Sequence, residues 1–597
     1  MQIINTNFLS DLISRRAFII GSSKIGLLSV LVMRNFYLQC IQRDKYSLLS
    51  NRNSTSVIMV APDRGEIYDV NNLLIASNQT SFTLIFNKNN SDYIKEVEYL
   101  SELLEFDDVQ KERMISKIKK SNKFSTSIIM KNIDWQLLSL IEENNAKLKS
   151  FTIDTKDIRY YHYADSMSHL LGYLYNSRIN YNNSVTCDVK TGATGVEKYY
   201  NNLLNGVSGY KIVEMDSIGS TVSTIKQVNS ISGNNLHLNI DSELQRKIID
   251  LLPTKGCSVI VMDCTDGNVL SLVSLPGYDP NQLAKLSYNY WNQLVNDAYE
   301  PLINKVVQGN YPPGSIFKII TFLAALEKGV DINYTVNCTG HNYLGTKDFR
   351  CARKFGHGNI NMIQAIQYSC NSYMYQLSRL IGVDPIIEMA NKFGLGQNTG
   401  IDLPNEKSGF VPSRKWKKDN FGSGWSIGDN FNLSIGQGYL LVTPIQLVRL
   451  IAAVASDGKL FKPNVAKRES EFEQISISPK YLSILKKALH MAVNNFGGTA
   501  YYSRINNQSV QMSGKTGTAQ VFAKQSDNDD LSKRHIAWNR RNHSIFVGYA
   551  PSSYPKYALS VYCNHGGSGP MMAAPIAKNI MQLVINKYKH LVNTNDR

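Results

Sequence analysis

The pattern of apolar and polar positions divides the chain into three parts. An apolar run, Ala17–Met33, lies near the start. From about residue 45 to 235 the chain is polar, with short strand-like runs such as Ser81–Phe86. From residue 236 onward, longer apolar segments recur. The pattern predicts an apolar N-terminal helix, a middle domain at 45–235 and a larger C-terminal domain at 236–592 with an extensive core.

One predicted helix of the C-terminal part, Ser315–Lys328, is apolar on nearly every face. The Pro-Pro-Gly sequence at 312–314 cannot continue a helix, and Gly329 ends the apolar stretch. A helix of this composition should be buried in the core. Ser315 and Lys318 are set into its first turn, and their spacing of three places both side chains on one helix face.

The C-terminal part also contains the signals of one antiparallel sheet. Two apolar strand candidates flank Asp266-Gly267, a strong hairpin signal. Three further strand candidates and an apolar helix come late in the chain: Val510–Val521, Ser544–Ala550, Tyr557–Tyr562 and the helix Met571–Leu591. An early hairpin, a helical middle, late strands and a terminal helix predict an α+β fold with helices packed on one sheet.

Composition narrows the classes of function. The 597 residues are too many for one domain, and a hydrophobic content of 43% suits a globular protein with an extensive core. The formal net charge is +16, but the basic residues are scattered and no nucleic-acid-binding signature accompanies them. We therefore expect no nucleic-acid partner. Attraction to an anionic membrane surface or wall polymer is the more economical interpretation.

The first 40 residues resemble an export signal that is retained as a membrane anchor. No small-x-small cleavage site follows the apolar run, and Gln39 is not the small residue that a lipoprotein anchor at Cys40 would need. Arg15 and Arg16 before the run favour a cytoplasmic N-terminus. We predict a cytoplasmic tail at 1–16 and a single membrane helix at 17–38. The sequence leaves open whether the twin-arginine export route is used.

Two later motifs give the Ser315 motif its significance. Ser-x-x-Lys at Ser315 is followed by Ser369-Cys370-Asn371 and then by Lys515-Thr516-Gly517. This order is typical of the penicillin-binding, serine-acylating enzymes. A hydroxyl, a nearby amine and the free N–H groups of a helix start can together form a covalent catalyst. Ser-x-x-Lys also occurs where a capping serine and a solvated lysine explain it: Ser116/Lys119, Ser208/Lys211, Ser223/Lys226, Ser483/Lys486 and Ser553/Lys556.

From about residue 60 to 580 the chain resembles the class B penicillin-binding proteins, and among them the penicillin-binding protein 2 group of cell elongation. The resemblance rests on Tyr311–Lys318, Gly356-His357-Gly358, Ser434–Gly438, Gly498-Thr499-Ala500 and Gly517–Val521. Asp63–Asp69 and Gly192–Glu197 resemble two motifs of the N-terminal pedestal of that family. No Glu-Asp dipeptide occurs, so the glycosyltransferase domain of the class A relatives is not expected and the pedestal should be non-catalytic.

The resemblance implies a penicillin-binding serine-acyltransferase fold, an antiparallel sheet flanked by helices, on an elongated pedestal with one membrane helix. It implies that peptidoglycan stem peptides ending in D-Ala-D-Ala are the substrates and that β-lactams are inhibitors. It also implies a position in the cell inner membrane, a periplasmic catalytic domain, a SEDS-family glycosyltransferase as partner and no organic cofactor.

The resemblance also assigns roles to the motif residues. Ser315 would be the nucleophile and Lys318 its base, with a pKa lowered by burial and by the second cation, Lys515. Ser369 would relay a proton and Asn371 would hold the acyl-peptide amide. The substrate carboxylate would be bound by Lys515, Thr516 and Thr518, with Gly517 in the same motif. The N–H groups of Ser315 and Thr518 would form the oxyanion hole.

Two other functions compete with this interpretation. A D,D-carboxypeptidase or a serine β-lactamase would use the same motifs but transfer the acyl group to water. The long pedestal and the anchor argue against a free β-lactamase. A non-catalytic scaffold for wall-synthesis proteins is the second alternative, and the intact motifs argue against it.

The cysteines form a second pattern. Cys338, Cys351 and Cys370 bracket His357 with 12, 5 and 12 intervening residues. Three thiolates and an imidazole make a complete tetrahedral zinc site, and members of the resembled group carry a metal site at matching positions. The alternative is a disulfide between Cys338 and Cys351. Four other cysteines are interpreted as buried apolar residues or disulfide partners: Cys187, Cys257, Cys264 and Cys563.

Overall fold

The structure, a computed structural model, describes nine stretches of the chain. These are residues 15–44, 55–86, 93–120, 127–181, 185–215, 221–253, 255–284, 288–521 and 537–589. Most of the predicted cytoplasmic tail lies outside them. Every structural statement below refers to the described residues.

The N-terminal helix α1 spans Arg15–Phe36 and continues into a π-helical turn at Tyr37–Ile41. The stretch Phe18–Ile41 is long and apolar enough to cross a membrane, and its large apolar side chains are exposed. An apolar helix of this length that packs against nothing in the protein fits the predicted single-pass anchor.

Residues 55–237 form the pedestal, which is built around two sheets and a hairpin. Its strands are β1 Thr55–Val60, β2 Ile67–Tyr68, β3 Leu74–Phe86, β4 Ser127–Ile133, β5 Phe151–Tyr161, β6 Leu174–Tyr181, β7 Val185–Gly192, β8 Gly209–Met215, β9 Thr221–Val228 and β10 Leu236–His237. Its helices are α2 Tyr93–Leu103, α3 Asp108–Lys120, α4 Trp135–Glu143, α5 Ala164–Leu171, α6 Gly195–Tyr199 and α7 Asn201–Leu204. The strand order is β1-β8-β9 in one sheet and β10-β2-β3-β4 in the other, where β5 also pairs with β3; β6 pairs with β7.

A buried ion triad joins the two predicted pedestal motifs. Glu197 is fully buried and accepts from Arg64 Nε at 2.6 Å and from Arg159 Nε at 2.7 Å. Arg64 also donates to the Glu197 backbone carbonyl at 2.9 Å. The Asp63–Asp69 and Gly192–Glu197 segments are therefore two halves of one structural unit, which explains why charged residues occur in both.

The junction between the two domains is tight. β10, at the start of the predicted C-terminal domain, pairs in parallel with β2 of the pedestal. Asp69 accepts from Ser242 Oγ at 2.6 Å, and Tyr200 donates to Asp402 Oδ2 at 2.7 Å. Because Asp69, Ser242 and Asp402 are buried, these hydrogen bonds are shielded from water and join the pedestal to the C-terminal domain.

The C-terminal domain contains the predicted antiparallel sheet. Its strands are β11 Cys257–Asp263, β12 Val269–Ser274, β13 Val336–Cys338, β14 Tyr343–Leu344, β15 Lys347–Asp348, β16 Gly358–Ile360, β17 Lys459–Phe461, β18 Phe472–Gln474, β19 Ser513–Ala519, β20 His543–Ala550 and β21 Tyr557–Cys563. The main sheet has the order β12-β11-β21-β20-β19, so the early hairpin and the late strands share one sheet. The predicted fold is confirmed, and β19, which carries the Lys-Thr-Gly motif, is an edge strand.

Helices cover both faces of this sheet. They are α8 Ser242–Asp250, α9 Pro280–Ala284, α10 Tyr288–Asn296, α11 Lys305–Gln308, α12 Lys318–Glu327, α13 Met362–Gln367, α14 Asn371–Ile381, α15 Asp384–Lys392, α16 Arg414–Phe421, α17 Ile427–Ser434, α18 Pro444–Ala455, α19 Pro479–Asn494 and α20 Ala574–Lys587. One core cluster contains α12 and α18, and a second contains the apolar face of α20. The α-helical part of the predicted terminal helix is shorter than expected, because a π-helical turn, Gly569–Ala573, precedes α20.

The predicted helix Ser315–Lys328 has a different beginning. A 3₁₀ turn spans Gly314–Ile316, and α12 itself begins at Lys318. Every residue from Lys318 to Leu326 is buried, as the apolar pattern predicts. The 3₁₀ turn follows from the position of Gly314, which has φ +54° and lies directly against β19.

Candidate active site

The Ser315 turn lies between two backbone segments. A Cβ atom on Gly314 would come 2.7 Å from the Thr518 carbonyl oxygen, and the Gly314 N–H donates to the Gly436 carbonyl at 3.0 Å. Only glycine tolerates both this approach and the positive φ. Ser315 itself is half-buried between buried neighbours. The turn therefore presents one hydroxyl beside the edge strand.

Lys318 is the first residue of α12, directly after this turn, and is fully buried. Its Nζ donates to the Ser369 carbonyl at 2.7 Å, to Ser369 Oγ at 3.2 Å and to Asn371 Oδ1 at 2.7 Å. The hydrogen bonds found for Nζ thus lead to the Ser-x-Asn motif rather than to Ser315. Ser315 lies in the 3₁₀ turn, and Lys318 begins α12 three residues later. The amine connects the first two motifs.

The Ser-x-Asn segment is held in an unusual backbone conformation. Ser369 has φ +56°, a left-handed value that is uncommon for a residue with a side chain. The Asn371 amide group donates to the Arg350 carbonyl at 3.0 Å, and its side-chain oxygen accepts from Lys318. Strained residues of this kind cluster at functional sites. The two partners hold the Asn371 side chain in one orientation.

The third motif lies on β19, opposite β20. Lys515 is fully buried and its Nζ donates to the Thr516 carbonyl at 3.1 Å. Thr516 Oγ1 donates to Thr499 Oγ1 at 2.8 Å, and Thr518 Oγ1 accepts from the Gly569 N–H at 3.1 Å. A Cβ on Gly517 would meet the Pro313 carbonyl at 3.0 Å, so this position packs against the nucleophile turn.

The backbone N–H and C=O groups of Thr518 face the Ser315 turn. The Thr518 carbonyl oxygen faces Gly314, on the open side of β19. In a strand, the N–H and C=O of one residue point to the same side. The Thr518 N–H therefore also faces the Ser315 turn, where an oxyanion donor is needed.

Burial sets the protonation of both lysines. It lowers the pKa of Lys318 to about 8. Burial, and then repulsion from the Lys318 ammonium, lower the pKa of Lys515 well below its usual range. The sequence predicts that repulsion also lowers the pKa of Lys318, whereas the structure attributes the Lys318 shift to burial. A neutral amine at position 318 is therefore accessible near neutral pH.

The structure adds two residues to the site. Thr499 holds the Thr516 hydroxyl, and Gly436, with φ +71°, accepts from Gly314. Both lie in segments that carried the family resemblance, Gly498-Thr499-Ala500 and Ser434–Gly438. That resemblance was the only signal in the sequence, because their positions depend on contacts with residues far away in the chain.

Beside the Ser-x-Asn segment, the four predicted metal ligands lie together. One ligand atom from each of Cys338, Cys351, His357 and Cys370 falls within 4.8 Å of all the others. His357 Nδ1 is 3.6 Å from Cys338 Sγ and 3.5 Å from Cys351 Sγ, and the Cys351 and Cys370 sulfurs are 3.8 Å apart. Tetrahedral zinc with ordinary bond lengths would separate sulfur from nitrogen by about 3.5 Å and two sulfurs by about 3.8 Å. The residues fit the ion.

The surroundings lower the pKa of two of the three thiols, Cys338 and Cys351. The Asn371 N–H donates to Cys351 Sγ at 3.4 Å, and the Cys338 thiol donates to Ser372 Oγ at 3.3 Å. The contact with Cys370 is the largest influence that lowers the pKa of Cys351, and the contact with Cys351 raises the pKa of His357. The same contact between the two sulfurs raises the pKa of Cys370. Without an ion, the thiolate is therefore favoured at Cys351, while Cys370 and His357 hold protons that zinc binding would release. A carboxylate is absent from the four ligands.

Two protein-family models match the chain. The penicillin binding protein transpeptidase domain matches residues 257–582, and the penicillin-binding protein dimerisation domain matches residues 59–238. Among curated proteins, the peptidoglycan D,D-transpeptidase MrdA of Salmonella typhimurium strain SL1344 is 31% identical over 95% of both chains. The protein of the same name from Acinetobacter baumannii is 32% identical over 94% of this chain and 86% of its own.

Solved structures agree with these matches. The complex between penicillin-binding protein 2 and MreC from Helicobacter pylori has a TM-score of 0.78 at 28% identity, over 90% of this chain and 99% of that one. A structure of a peptidoglycan synthase complex that couples polymerization and crosslinking has a TM-score of 0.68 at 25% identity, over 95% and 98%. The chain therefore belongs to the penicillin-binding protein family, in the group of peptidoglycan D,D-transpeptidases of cell elongation that includes penicillin-binding protein 2.

Proposed function

We propose that this chain cross-links peptidoglycan stem peptides through an acyl-enzyme on Ser315. The observation that carries the proposal is the Lys318 amine, which joins the Ser315 turn to Ser369 and Asn371 beside β19. Ser315 Oγ attacks the carbonyl of the penultimate D-alanine as neutral Lys318 takes its proton. The oxyanion then faces the N–H groups of Ser315 and Thr518.

The remaining residues bind substrate and move the second proton. Lys515, Thr516 and Thr518 bind the terminal carboxylate, and Asn371 holds the peptide amide. Ser369 passes a proton from Lys318 to the departing D-alanine, which its 3.2 Å contact with Nζ supports. The ester is then attacked by an amine of a second stem peptide. β-Lactams enter the same sequence of steps but leave a stable ester.

The identity of the acyl acceptor tests this proposal. Incubating the full chain with a pentapeptide stem and an amine acceptor should release D-alanine and give mainly amide-linked dimers. A D,D-carboxypeptidase would give the shortened tetrapeptide instead. Mass spectrometry of the products distinguishes the two. If tetrapeptide formed without dimers, the reaction would be hydrolysis and not transpeptidation. If no D-alanine were released, the non-catalytic scaffold would be favoured.

We further propose that Cys338, Cys351, His357 and Cys370 bind one structural zinc ion. Four protein ligands complete a tetrahedral site and leave no position for substrate, so the ion would contribute folding stability. Cys370 lies between Ser369 and Asn371 and is the N-cap residue of α14. Its sulfur accepts a hydrogen bond from the Tyr373 N–H at 3.4 Å. The ion would hold the Ser-x-Asn segment against the Cys338–His357 segment.

Zinc analysis tests this site. The purified chain should contain about one zinc ion, and all three cysteines should react with a thiol reagent after denaturation in chelator. Cys351→Ser should lose the zinc, whereas Cys264→Ser, at another buried cysteine, should keep it. Affinity should weaken as pH falls because the ligands bind protons. If the purified protein contained no metal, and if Cys338 and Cys351 reacted only after reduction, the zinc site would be wrong and a disulfide would take its place.

We propose that the catalytic domain is periplasmic, anchored in the inner membrane by α1. Arg15 and Arg16 before the apolar run Ala17–Met33 support this orientation, although three basic residues follow the run: Arg34, Arg43 and Lys45. A SEDS-type glycosyltransferase at the anchor and pedestal is the proposed partner, by analogy with the relative in a peptidoglycan synthase complex. The topology is tested with protease added to spheroplasts, which should digest the bulk of the chain. The partner is tested with a variant that lacks residues 1–235, which should not copurify with the glycosyltransferase. Protection from the protease, or retained copurification, would contradict these placements.

A further inference from the structure

Two cysteines outside the proposed zinc site lie opposite each other on adjacent strands of the main sheet. Cys257 is the first residue of β11 and Cys563 is the last residue of β21, and the two are direct partners in the antiparallel register. Both are buried, and their sulfur atoms are in contact. No other hydrogen-bond partner of either sulfur occurs in the described part of the chain.

The backbone geometry at this pair suits a cross-link. The Asn564 N–H donates to the Gly256 carbonyl at 2.7 Å, so Gly256 and Asn564 are a hydrogen-bonded position. Hydrogen-bonded and non-hydrogen-bonded positions alternate along an antiparallel pair, which makes Cys257 and Cys563 a non-hydrogen-bonded pair. In such pairs the Cα atoms are about 4.5 Å apart and the side chains are close. A disulfide accepts Cα separations of about 4.4–6.8 Å.

We propose that Cys257 and Cys563 are oxidised to a disulfide that covalently joins β11 to β21. One thiolate attacks the disulfide of a thiol–disulfide oxidoreductase, forms a mixed disulfide and releases the first thiolate of that enzyme. The second cysteine loses its proton and displaces the other. Two electrons and two protons pass to the oxidoreductase, which leaves as a dithiol. This inference rests on the proposed location outside the cytoplasm, where disulfides persist.

The cross-link would fix the base of the turn that supports β19. The turn 564–568 follows Cys563 directly, and a Cβ on Gly566 would come 3.0 Å from Cys563 Cβ. At the far end of the turn, the Ser568 carbonyl accepts from Ser544 Oγ at 3.0 Å, and the Gly569 N–H donates to Thr518 Oγ1 at 3.1 Å. The disulfide therefore lies a few residues from the group that holds Thr518.

Cys264 provides a matched control on the same sheet. It follows β11 directly and is fully buried, and burial raises the pKa of its thiol well above the usual range. It contacts no other cysteine in the described residues. Any effect of a buried thiol as such should therefore appear at Cys264 as well, whereas an effect of the cross-link should not.

Peptide mapping of the full chain tests the bond directly. Cells are lysed directly into a denaturant that contains N-ethylmaleimide, which traps free thiols that the fold buries, and the protein is then purified and digested without reductant. We expect the Cys257 and Cys563 peptides as one cross-linked species that separates on reduction. Recovery of both peptides carrying N-ethylmaleimide would overturn the inference. Normal penicillin labelling of the folded protein in a second portion of the same cells would show that the proposed function survives this failure.

Heat stability provides a second readout. Closing so long a loop stabilises the native state, so reduction with a phosphine should lower the melting temperature of the wild-type chain by roughly 5–15 °C. Cys257→Ala and Cys563→Ala should melt at one temperature with or without the phosphine. Cys264→Ala should keep the wild-type sensitivity. Sensitivity that persisted in Cys257→Ala and Cys563→Ala would contradict the assignment.

Discussion

Ser315→Ala should abolish covalent labelling by a fluorescent penicillin while the protein stays folded. The hydroxyl is the group that the 3₁₀ turn presents beside β19, and without it no ester can form. Ser315 Oγ makes no hydrogen bond to a described residue, so its removal should change the free energy of unfolding by less than about 0.5 kcal/mol. Gel fluorescence measures the labelling, and thermal melting measures the fold.

Ser483→Ala is the matched control, because Ser483 and Lys486 have the same spacing on α19. Ser483 is exposed to solvent, and the Lys486 amine is paired with the Asp457 carboxylate at 2.7 Å, so no unpaired, buried amine accompanies this hydroxyl. This variant should label like the wild type, as should Ser116→Ala, Ser208→Ala, Ser223→Ala and Ser553→Ala. If labelling persisted in Ser315→Ala, the assignment of Ser315 as the nucleophile would be wrong. Mass spectrometry of the penicillin adduct would then identify the serine that carries it.

Lys318→Met should slow penicillin acylation by about 10²–10⁴-fold, the usual contribution of a general acid or base. The amine acts only when neutral, and burial lowers its pKa to about 8. The wild-type acylation rate should therefore rise about tenfold per pH unit below pH 8 and level off above it. The residual rate of Lys318→Met should lose this dependence. Stopped-flow acylation between pH 6 and pH 10 measures both.

The pH profile separates catalysis from structure. Lys318→Met also leaves the Ser369 and Asn371 acceptors without their buried donor, which costs about 1–3 kcal/mol for each unsatisfied group. A purely structural lysine would slow the variant but leave the shape of its pH profile unchanged. That result would contradict the assignment of Lys318 as the base. Lys486→Met should retain the wild-type rate and the wild-type profile.

The catalytic motifs and the main sheet could be predicted from the sequence for a local reason. Ser315, Ser369 and Lys515 each belong to a short motif whose neighbours are adjacent in the chain. Strands β11, β20 and β21 are buried along almost their whole length, so they appear as continuous apolar runs. Such signals do not depend on how distant segments meet.

Features that depend on distant contacts could not be predicted. The Lys318 amine contacts Ser369, 51 residues away, and no spacing rule indicates that choice of partner. The left-handed backbone of Ser369 and the pairing of Thr499 with Thr516 likewise exist only once the domain has closed. The helix start was predicted at Ser315 instead of Lys318, because the approach of β19 to Gly314 cannot be read from the local pattern.

The buried triad of Arg64, Arg159 and Glu197 constrains how pedestals can be exchanged between relatives. Its members come from three separate stretches of the pedestal and share one carboxylate. A chimera that takes one of these stretches from a relative without the others would leave a buried charge without its partner. The loss in folding stability would be about 3–5 kcal/mol. Recombination inside residues 64–197 should therefore be selected against, while a crossover that moves the whole segment keeps the three charges together.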